Sequence, residues 1–261
     1  MKKLTSLLLT VALFLAAGAV TSQAAVLTWF DNFNSYGTGE LVGSGAPYIG
    51  NNGGAFVLTS SVGISSSIGV ASVGTNNRQV LYTGGNGSLA TGNITLSAFF
   101  SPTAVGSGQL FEMALYPDGV TAPGSQNRTG MRVVTGAGTD TFQILVNNAG
   151  GATSNLASDL VTGQWYQFNL TFSEVTPTTL DMTGSIYNAT SAGVVGSLIS
   201  TATFTNLTSA IAGDSAVYGG FRSSFTGTVD NFAISTVPEP STFALLGLGA
   251  LGLAAWRRRR A

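Results

Sequence analysis

Hydrophobic and polar residues alternate along most of the chain with a period of two, which is typical of strands that bury one face. Residues 164–172 show this pattern most clearly. Four large apolar side chains there fall on one face of the predicted strand: Tyr166, Phe168, Leu170 and Phe172. No stretch of the central chain has a convincing 3.6-residue period. The pattern therefore predicts an all-β body.

About a dozen segments alternate in this way. They are residues 26–33, 56–59, 79–83, 93–100, 110–116, 131–135, 141–147, 164–172, 180–187, 199–205, 216–221 and 228–235. Clusters of Gly and Asn, which favour turns, separate several of them, at 51–54, 84–87 and 147–151. Many short strands with such turns predict a sandwich of two antiparallel sheets over residues 25–236.

The composition excludes most common catalytic sites. The 261 residues include no histidine and no cysteine. This excludes nucleophilic sites built on Ser-His-Asp or Cys-His, zinc held by His or Cys, iron–sulfur clusters and disulfides.

Charged residues make up only 8% of the chain, against 44% hydrophobic residues and 35 glycines. Residues 25–237 contain ten acidic residues and four arginines, a formal charge of −6. The four arginines are Arg78, Arg128, Arg132 and Arg222. Nucleic-acid binding needs a basic face, so we predict no nucleic-acid partner. If the ligand is a polysaccharide, the negative charge of the body favours neutral glucans or galactans over strongly anionic glycans, unless calcium bridges the anionic ones.

The first 24 residues have the order of a secretory signal peptide. Lys2 and Lys3 precede an apolar run at 4–20, and the small residues Ser22 and Ala24 follow it. We predict export by the Sec route and cleavage by signal peptidase after Ala24. The alternative is an uncleaved membrane anchor.

The other end of the chain combines an apolar segment with a basic cluster. Residues 242–256 are apolar, and the four arginines Arg257, Arg258, Arg259 and Arg260 follow directly. Fifteen helical residues span about 22 Å, somewhat less than a hydrocarbon core of about 30 Å. Arginines after such a segment are typical of a stop-transfer signal. We predict a transmembrane helix with the arginines in the cytoplasm, the alternative being a buried core helix.

A proline-rich motif precedes this helix: Val237, Pro238, Glu239, Pro240 and Ser241. With the glycine- and leucine-rich segment and the arginine cluster, it resembles the PEP-CTERM sorting signal of Gram-negative bacteria. The resemblance implies processing by an exosortase, a membrane protease of bacteria that make exopolysaccharide and often biofilm. The two prolines hold the motif extended, so its residues serve recognition and not catalysis. The protein would face the periplasm from the inner membrane and reach the cell surface or the medium after processing.

Three segments of the body, residues 29–36, 163–168 and 228–234, resemble strands of laminin-G-like, concanavalin-A-like jelly rolls. This resemblance implies a jelly-roll sandwich whose first and last strands pair at the edge of one sheet. Asp31 and Asp230 would then lie near each other, where some such folds carry a structural calcium. Calcium needs several oxygen ligands, which two carboxylates and nearby carbonyls can supply. The alternative is that each Asp caps a turn or faces solvent.

An enzymatic role has little support in the sequence. Glycoside hydrolysis needs two carboxyl groups roughly 5 to 10 Å apart, and the Glu-x-Asp-x-x-Glu strand of jelly-roll glucanases is absent. Glu112 should face away from Phe111 and Met113, without an acidic partner on its strand, as a solvated or paired surface charge. It could pair with Arg132 if their strands are neighbours. We predict no enzymatic activity, the alternative being a glycoside hydrolase or polysaccharide lyase.

Sugar binding is the remaining hypothesis, since aromatic rings beside Asn, Asp and Gln form sugar sites. The candidate rings are Tyr36, Tyr48, Tyr82, Tyr116, Trp165, Tyr166, Tyr187 and Tyr218, although most must belong to strand faces or the core. The sequence thus predicts an exported, non-enzymatic surface or extracellular-matrix protein associated with exopolysaccharide or biofilm.

Overall fold

The computed structural model describes residues 26–42, 45–50, 56–72, 78–84, 86–89, 92–106, 108, 110–119, 121, 123, 126–136, 138–224 and 226–238. One compact unit spans Leu27–Thr236. A second unit, Met1–Val26 with Val237–Ala261, lies almost entirely outside the described residues. The predicted signal peptide and the predicted transmembrane helix also lie outside them.

Two sheets form the body, and every strand pairing whose register is described is antiparallel. Sheet A has nine strands: β1 Val26–Asp31, β2 Gly39–Glu40, β4 Phe56–Thr59, β5 Gly69–Ser72, β7 Gly92–Pro102, β12 Trp165–Thr176, β13 Thr179–Ala189, β14 Val195–Thr208 and β16 Gly227–Pro238. Their order is β14-β13-β12-β7-β16-β5-β4-β2, and β1 also pairs with β16.

Sheet B has seven strands: β3 Tyr48–Gly50, β6 Arg78–Tyr82, β8 Leu110–Tyr116, β9 Thr129–Val134, β10 Thr141–Val146, β11 Ala149–Asn155 and β15 Tyr218–Ser223. Their order is β11-β10-β9-β8-β15-β6-β3. A short 3-10 turn at Ile64–Ser66 lies between β4 and β5. The predicted all-β, two-sheet antiparallel fold is therefore confirmed.

The core lies between the inner faces of the two sheets. The predicted inward faces of β12 and β8 both contribute to one buried apolar cluster. Phe111 of β8 meets Phe168 of β12 edge to face, with ring centroids 6.3 Å apart. Burying one such side chain contributes roughly 1.5–3 kcal/mol, so the alternation of residues directly fixes which faces meet.

Four strands were not among the predicted segments: β2, β3, β5 and β11. The first three have only two to four residues each. Strand β11 occupies part of the segment predicted as a turn, 147–151. Only Asn147 and Asn148 turn the chain, with φ values of 50° and 68°, the conformation of a tight two-residue hairpin. The strand resumes at Ala149 because pairing with β10 outweighs the weak strand preference of Ala and Gly.

The first strand pairs with the last, as the jelly-roll resemblance predicted, because β1 pairs with β16. The predicted position at a sheet edge is wrong. Strand β16 lies between β7 and β5 in the interior of sheet A, since its twelve residues offer enough length to pair with several shorter strands.

Candidate functional site

A row of five polar side chains crosses the outer face of sheet B. Each member is the cross-strand partner of the next, on the neighbouring strands β10, β9, β8, β15 and β6. In that order they are Gln143, Arg132, Glu112, Arg222 and Gln79. They face outward because their neighbours in sequence point into the core. We call them the arginine row. Adjacent strands lie about 4.8 Å apart, so the row is about 19 Å long.

Glu112, at the centre of the row, is fully buried. Arg128, one residue before β9, donates from its Nε to Oε1 of Glu112 at 2.6 Å. Arg222 Nη1 lies 3.6 Å from Oε2 of the same carboxylate. Two guanidinium groups therefore flank the carboxylate, and Arg132 lies directly opposite Glu112 on the neighbouring strand, so the local formal charge is +2.

The expectations for Glu112 were partly right. It faces away from the core and is paired, and β8 and β9 are neighbours with Glu112 directly opposite Arg132. The expectation of a solvated surface charge is wrong, and the ion pair is with Arg128 and not with Arg132. Arg132 instead donates from its Nε to Oε1 of Gln143 at 2.7 Å.

Gly130 explains why Arg128 reaches Glu112. The path between the two side chains crosses the directly opposed pair Gly130 and Ala114, whose small side chains leave it open. The backbones approach closely here, because a Cβ on Gly130 would lie 2.6 Å from the Cβ of Ala114 and still closer to the carbonyl oxygen of Met113. The site thus depends on a glycine that lies between two arginines on one strand face.

A loop covers one end of the row. Gln79 donates from its Nε2 to the Tyr116 hydroxyl at 2.6 Å and faces the Pro123 carbonyl oxygen at 3.4 Å. Arg128 Nη1 also donates to Oδ1 of Asn148 at 2.6 Å. The other end is more open, since Arg132 and Gln143 are only half-buried.

Electrostatic interactions in the row follow from burial and charge. Burial alone would lower the pKa of Arg128, but the charge of Glu112, the charge of Tyr116 and the hydrogen bond to Glu112 together more than offset burial, and the pKa is raised. Burial lowers the pKa of Arg222, and the positive charges of Arg128 and Arg132 lower it further, against the attraction of Glu112. The arginines therefore repel one another and share a single counter-charge.

The two aspartates of the predicted calcium site are on paired strands, β1 and β16, and their charges interact. Burial raises the pKa of Asp230 to about 6, and the charge of Asp31 adds to the rise, while hydrogen bonds from Ile64, Asn231 and Ser67 oppose it. Asp31 also has a raised pKa, first because of burial. The predicted proximity agrees with this interaction.

Their hydrogen bonds do not fit a calcium ion. Asp31 Oδ1 accepts from the Phe33 amide at 2.7 Å, which is an Asx turn. Asp230 Oδ2 accepts from the Ile64 amide at 2.7 Å, and Oδ1 from the Asn231 amide at 2.7 Å. Calcium needs six to eight oxygen ligands, whereas these three contacts are N–H donors that a cation repels. Two hydroxyls also donate, Tyr48 to Oδ2 of Asp31 at 3.2 Å and Ser67 to Oδ2 of Asp230 at 3.0 Å.

Within the described part of the chain, no three Asp, Glu, His or Cys side chains form a metal-binding group. Asp31 caps a local turn, as in the alternative, whereas Asp230 binds the amide of its neighbour Asn231 and the amide of Ile64, which is distant in the chain. Calcium at Asp31 and Asp230 stays a prediction, which melting curves with calcium and with EDTA can check.

The outer face of sheet A carries a second row, of different chemistry. Four threonines on β7, β12, β13 and β14 face one another directly: Thr95, Thr171, Thr183 and Thr203. Their hydroxyls bond in pairs, at 2.9 Å between the first two and 2.9 Å between the last two. We call these the threonine row. It contains no charged group and is half-buried to exposed.

The structure divides the aromatic residues that the sequence offered as sugar contacts. Five of the eight rings are buried: Tyr48, Tyr82, Tyr116, Trp165 and Tyr166. Three are half-buried: Tyr36, Tyr187 and Tyr218. Tyr218 is on β15, four residues from Arg222 and so on the same outer face of sheet B. Tyr218 is therefore a half-buried ring on the same sheet face as the arginine row.

Sequence reasoning missed the roles of Arg128 and Arg222. Arg128 precedes its strand, and Arg222 is more than a hundred residues from Glu112 in the chain. The sequence held one indication of these ion pairs. Charged residues are rare in it, and the four arginines of the body need acidic partners. Without strand order, nothing indicated that two of them meet at one glutamate.

The predicted sorting tail lies mostly outside the described residues. Val237 and Pro238 end β16, whereas Glu239, Pro240, Ser241 and the Arg257–Arg260 cluster are not described. In the described part of the chain, no helix has both the length and the apolar character needed to cross a membrane.

Comparison with solved structures gives the fold. A variant of alginate lyase Aly36B bound to an alginate trisaccharide aligns with a TM-score of 0.50 at 13% identity, covering 82% of this chain and 100% of that one. A lectin from Bauhinia forficata in complex with GalNAc aligns at 0.48 and 10% identity, covering 82% and 99%. The enzymatically active domain of bacteriophage CBA120 tailspike protein 2 aligns at 0.49 and 16% identity. That alignment covers 76% of this chain but only 29% of the tailspike domain.

Comparison of sequences identifies the tail. No curated protein matches the chain. Residues 236–260 match the PEP-CTERM protein-sorting motif, which confirms the resemblance found in the sequence. This motif indicates export, membrane anchoring before sorting, and recognition by exosortase. The chain is therefore an exported protein with a jelly-roll-like all-β body and a C-terminal PEP-CTERM sorting motif.

Proposed function

We propose that this chain is a non-enzymatic surface or extracellular-matrix protein that associates with exopolysaccharide, or with the biofilm it forms, through the outer face of sheet B. The observation that carries the proposal is the arginine row, with five polar side chains in register on neighbouring strands. The sorting motif supports it, since the tail directs the body to the side of the membrane where such polymers are found.

An extended polar polymer suits this face. Guanidinium and amide groups repeated across a sheet can bond successive hydroxyl or carboxylate groups along a chain of sugars. Tyr218 adds an aromatic ring on the same face, and such rings pack against the apolar faces of sugars. Arg132 and Gln143 are half-buried and can reach a ligand.

The same row offers little for hydrolysis. Glu112 is its one acidic member, and the carboxylate is buried against Arg128 at 2.6 Å, whereas hydrolysis uses two carboxyl groups. A lyase would need a base. Burial raises the pKa of Tyr116 well above its ordinary value, with the charge of Glu112 adding to the effect, so its hydroxyl is a poor base.

Binding and cleavage are tested together on the full chain purified in detergent. Acidic and neutral polysaccharides are immobilised to measure retention, and reducing ends are counted in solution to measure cleavage. We expect retention on at least one polymer and no release of oligosaccharides. The alternative, a glycoside hydrolase or polysaccharide lyase, would be established by one result. The wild type would release oligosaccharides, and an Arg132→Gln variant with unchanged melting temperature would not.

Sorting is tested separately in a host with and without its exosortase. We expect the arginine tail to be absent from the exported protein only when the exosortase is present, and mass spectrometry of the C-terminus decides this. A matched variant with Pro238 and Pro240 replaced by alanine should be exported but matured slowly. Intact Trp256 and Arg257 on exported protein would instead indicate a plain membrane anchor.

A further inference from the structure

We infer that the open end of the arginine row, Arg132 with Gln143, binds a carboxylate with electrostatic support from Arg222, and that the polysaccharide recognised is therefore acidic, of the uronate type. This inference rests on the proposed function and names its ligand class. It begins from the placement of charge. Arg128 and Arg222 lie within 4.0 Å of Glu112 and Arg132 is its cross-strand partner, so a body of formal charge −6 carries three arginines and one glutamate, a local charge of +2, on this face.

Glu112 cannot neutralise all three cations. Its Oε1 is bonded to Arg128 at 2.6 Å, and the nearest group to Oε2 is Arg222 Nη1 at 3.6 Å. Among the residues that the structure describes, no carboxylate lies within 4.0 Å of Arg132. The charge of Arg132 is therefore uncompensated, in a half-buried position where solvent screens it less than at a free surface.

The groups at this end are donors. Arg132 uses Nε to bond Oε1 of Gln143, which leaves both of its Nη groups, and the Nε2 amide of Gln143, as further N–H donors. Gly150 on β11 leaves room beside them, since a Cβ there would lie 3.2 Å from Arg132 Nη2 and 3.4 Å from Gln143 Nε2. A cluster of donors with excess positive charge calls for an acceptor that is negative.

A carboxylate fits this cluster better than a hydroxyl. The planar guanidinium can donate two parallel hydrogen bonds to the two oxygens of a carboxylate. Arg222, with 17% of its side chain exposed, lies two strands from Arg132, about 10 Å away across the sheet, and adds to the attraction. The expectation that neutral glycans are favoured came from the net charge of the whole body, whereas the local charge has the opposite sign.

The test measures binding of the full chain, in detergent with excess EDTA, to polygalacturonate and to the same polymer with its carboxyl groups reduced to alcohols. We expect the acidic polymer to bind at least tenfold more tightly and to weaken with salt. Arg132→Gln should lose at least tenfold on polygalacturonate and nothing on the reduced polymer. Arg132→Lys, which keeps the charge but not the two-pronged geometry, should lie between.

Thr203→Ala, on the outer face of the other sheet, is the control and should bind as the wild type does. Equal binding of the acidic and reduced polymers by the wild type would overturn the inference without any variant. Tighter binding of dextran sulfate than of polygalacturonate would overturn the carboxylate assignment. Binding of neutral polymers alone would overturn this inference and leave the proposed function intact, whereas binding of no polysaccharide would contradict the proposed function itself.

Discussion

The two outer faces of the sandwich are both rows of polar side chains on neighbouring strands, but their chemistry differs. The threonine row of sheet A is uncharged, and its hydroxyls bond one another in pairs. The arginine row of sheet B contains two arginines and a buried glutamate, and a third arginine, Arg128, pairs with that glutamate, in a chain with only 8% charged residues. Hydroxyls can exchange their partners for water at little cost, whereas buried ions cannot.

The difference indicates which outer face has a function in addition to its role in folding. Replacing a buried ion pair by apolar side chains is often neutral or stabilising. Stability alone is therefore a weak reason for the arginine row, and ligand binding is a better one. The threonine row needs no such reason, since uncharged polar side chains on a solvent face are ordinary for an antiparallel sheet.

The largest effect should come from Glu112→Gln. Removing the carboxylate charge leaves Arg128 buried without its counter-ion, and we expect a loss of about 3–5 kcal/mol in the free energy of unfolding. Urea denaturation followed by circular dichroism measures it. The matched control is Glu40→Gln on β2 of sheet A, an exposed glutamate that has no basic side chain within 4.0 Å among the described residues. We expect it to change stability by less than about 0.5 kcal/mol, and equal losses in the two variants would remove the contrast.

Asp230 sharpens the contrast because it is buried against neutral donors instead of a cation. Its folded pKa of about 6 exceeds its ordinary value of 3.8, so the folded state binds the proton more tightly. Stability from this group is fully present below about pH 4 and is lost as the pH rises through 6, by at most about 3 kcal/mol. Melting curves at several pH values should show this slope in the wild type and a smaller one in Asp230→Asn. The same slope in both would show that other groups cause it.

Gly130→Ala tests the close approach of strands beneath the arginine row. A Cβ would collide with Ala114 and the Met113 carbonyl oxygen, and we expect a loss of about 1–3 kcal/mol. Gly138→Ala is the matched control, because nothing lies within 4 Å of its Cβ position. Thermal melting compares the two, and a tolerated Gly130→Ala would mean that the strands can separate without harm.

Thr183→Ala, in the threonine row, should have the smallest effect. It removes one hydroxyl bond of 2.9 Å to Thr203 at a half-buried position, and cross-strand pairs of this kind contribute roughly 0.2–1 kcal/mol. Differential scanning calorimetry can resolve such a change. A loss as large as that of Glu112→Gln would show that sheet A, and not sheet B, holds the more demanding polar network.

Local features of the fold could be predicted from the sequence, and features that depend on strand order could not. Alternation alone placed Phe111 and Phe168 on the inner faces of the sheets and Glu112 on the outer face of sheet B. The sorting motif was predictable because all its parts are contiguous. The meeting of Glu112 with Arg222 depends on β8 pairing with β15, a long-range choice that no local pattern encodes. The contact of Arg128 with Glu112 was not predicted for another reason. Arg128 lies just before β9, and its side chain can extend to Glu112 only because Gly130 lies between them.

The most direct test of the central claim is an NMR titration of isotope-labelled protein with a galacturonate trisaccharide. The claim is that the arginine row, and not the threonine row, is the ligand-binding face. We predict amide shifts that saturate with ligand and concentrate around Arg132, Gln143 and Arg222, while the amides of Thr183 and Thr203 stay unchanged. Shifts concentrated on the outer face of sheet A, or none that saturate, would contradict it.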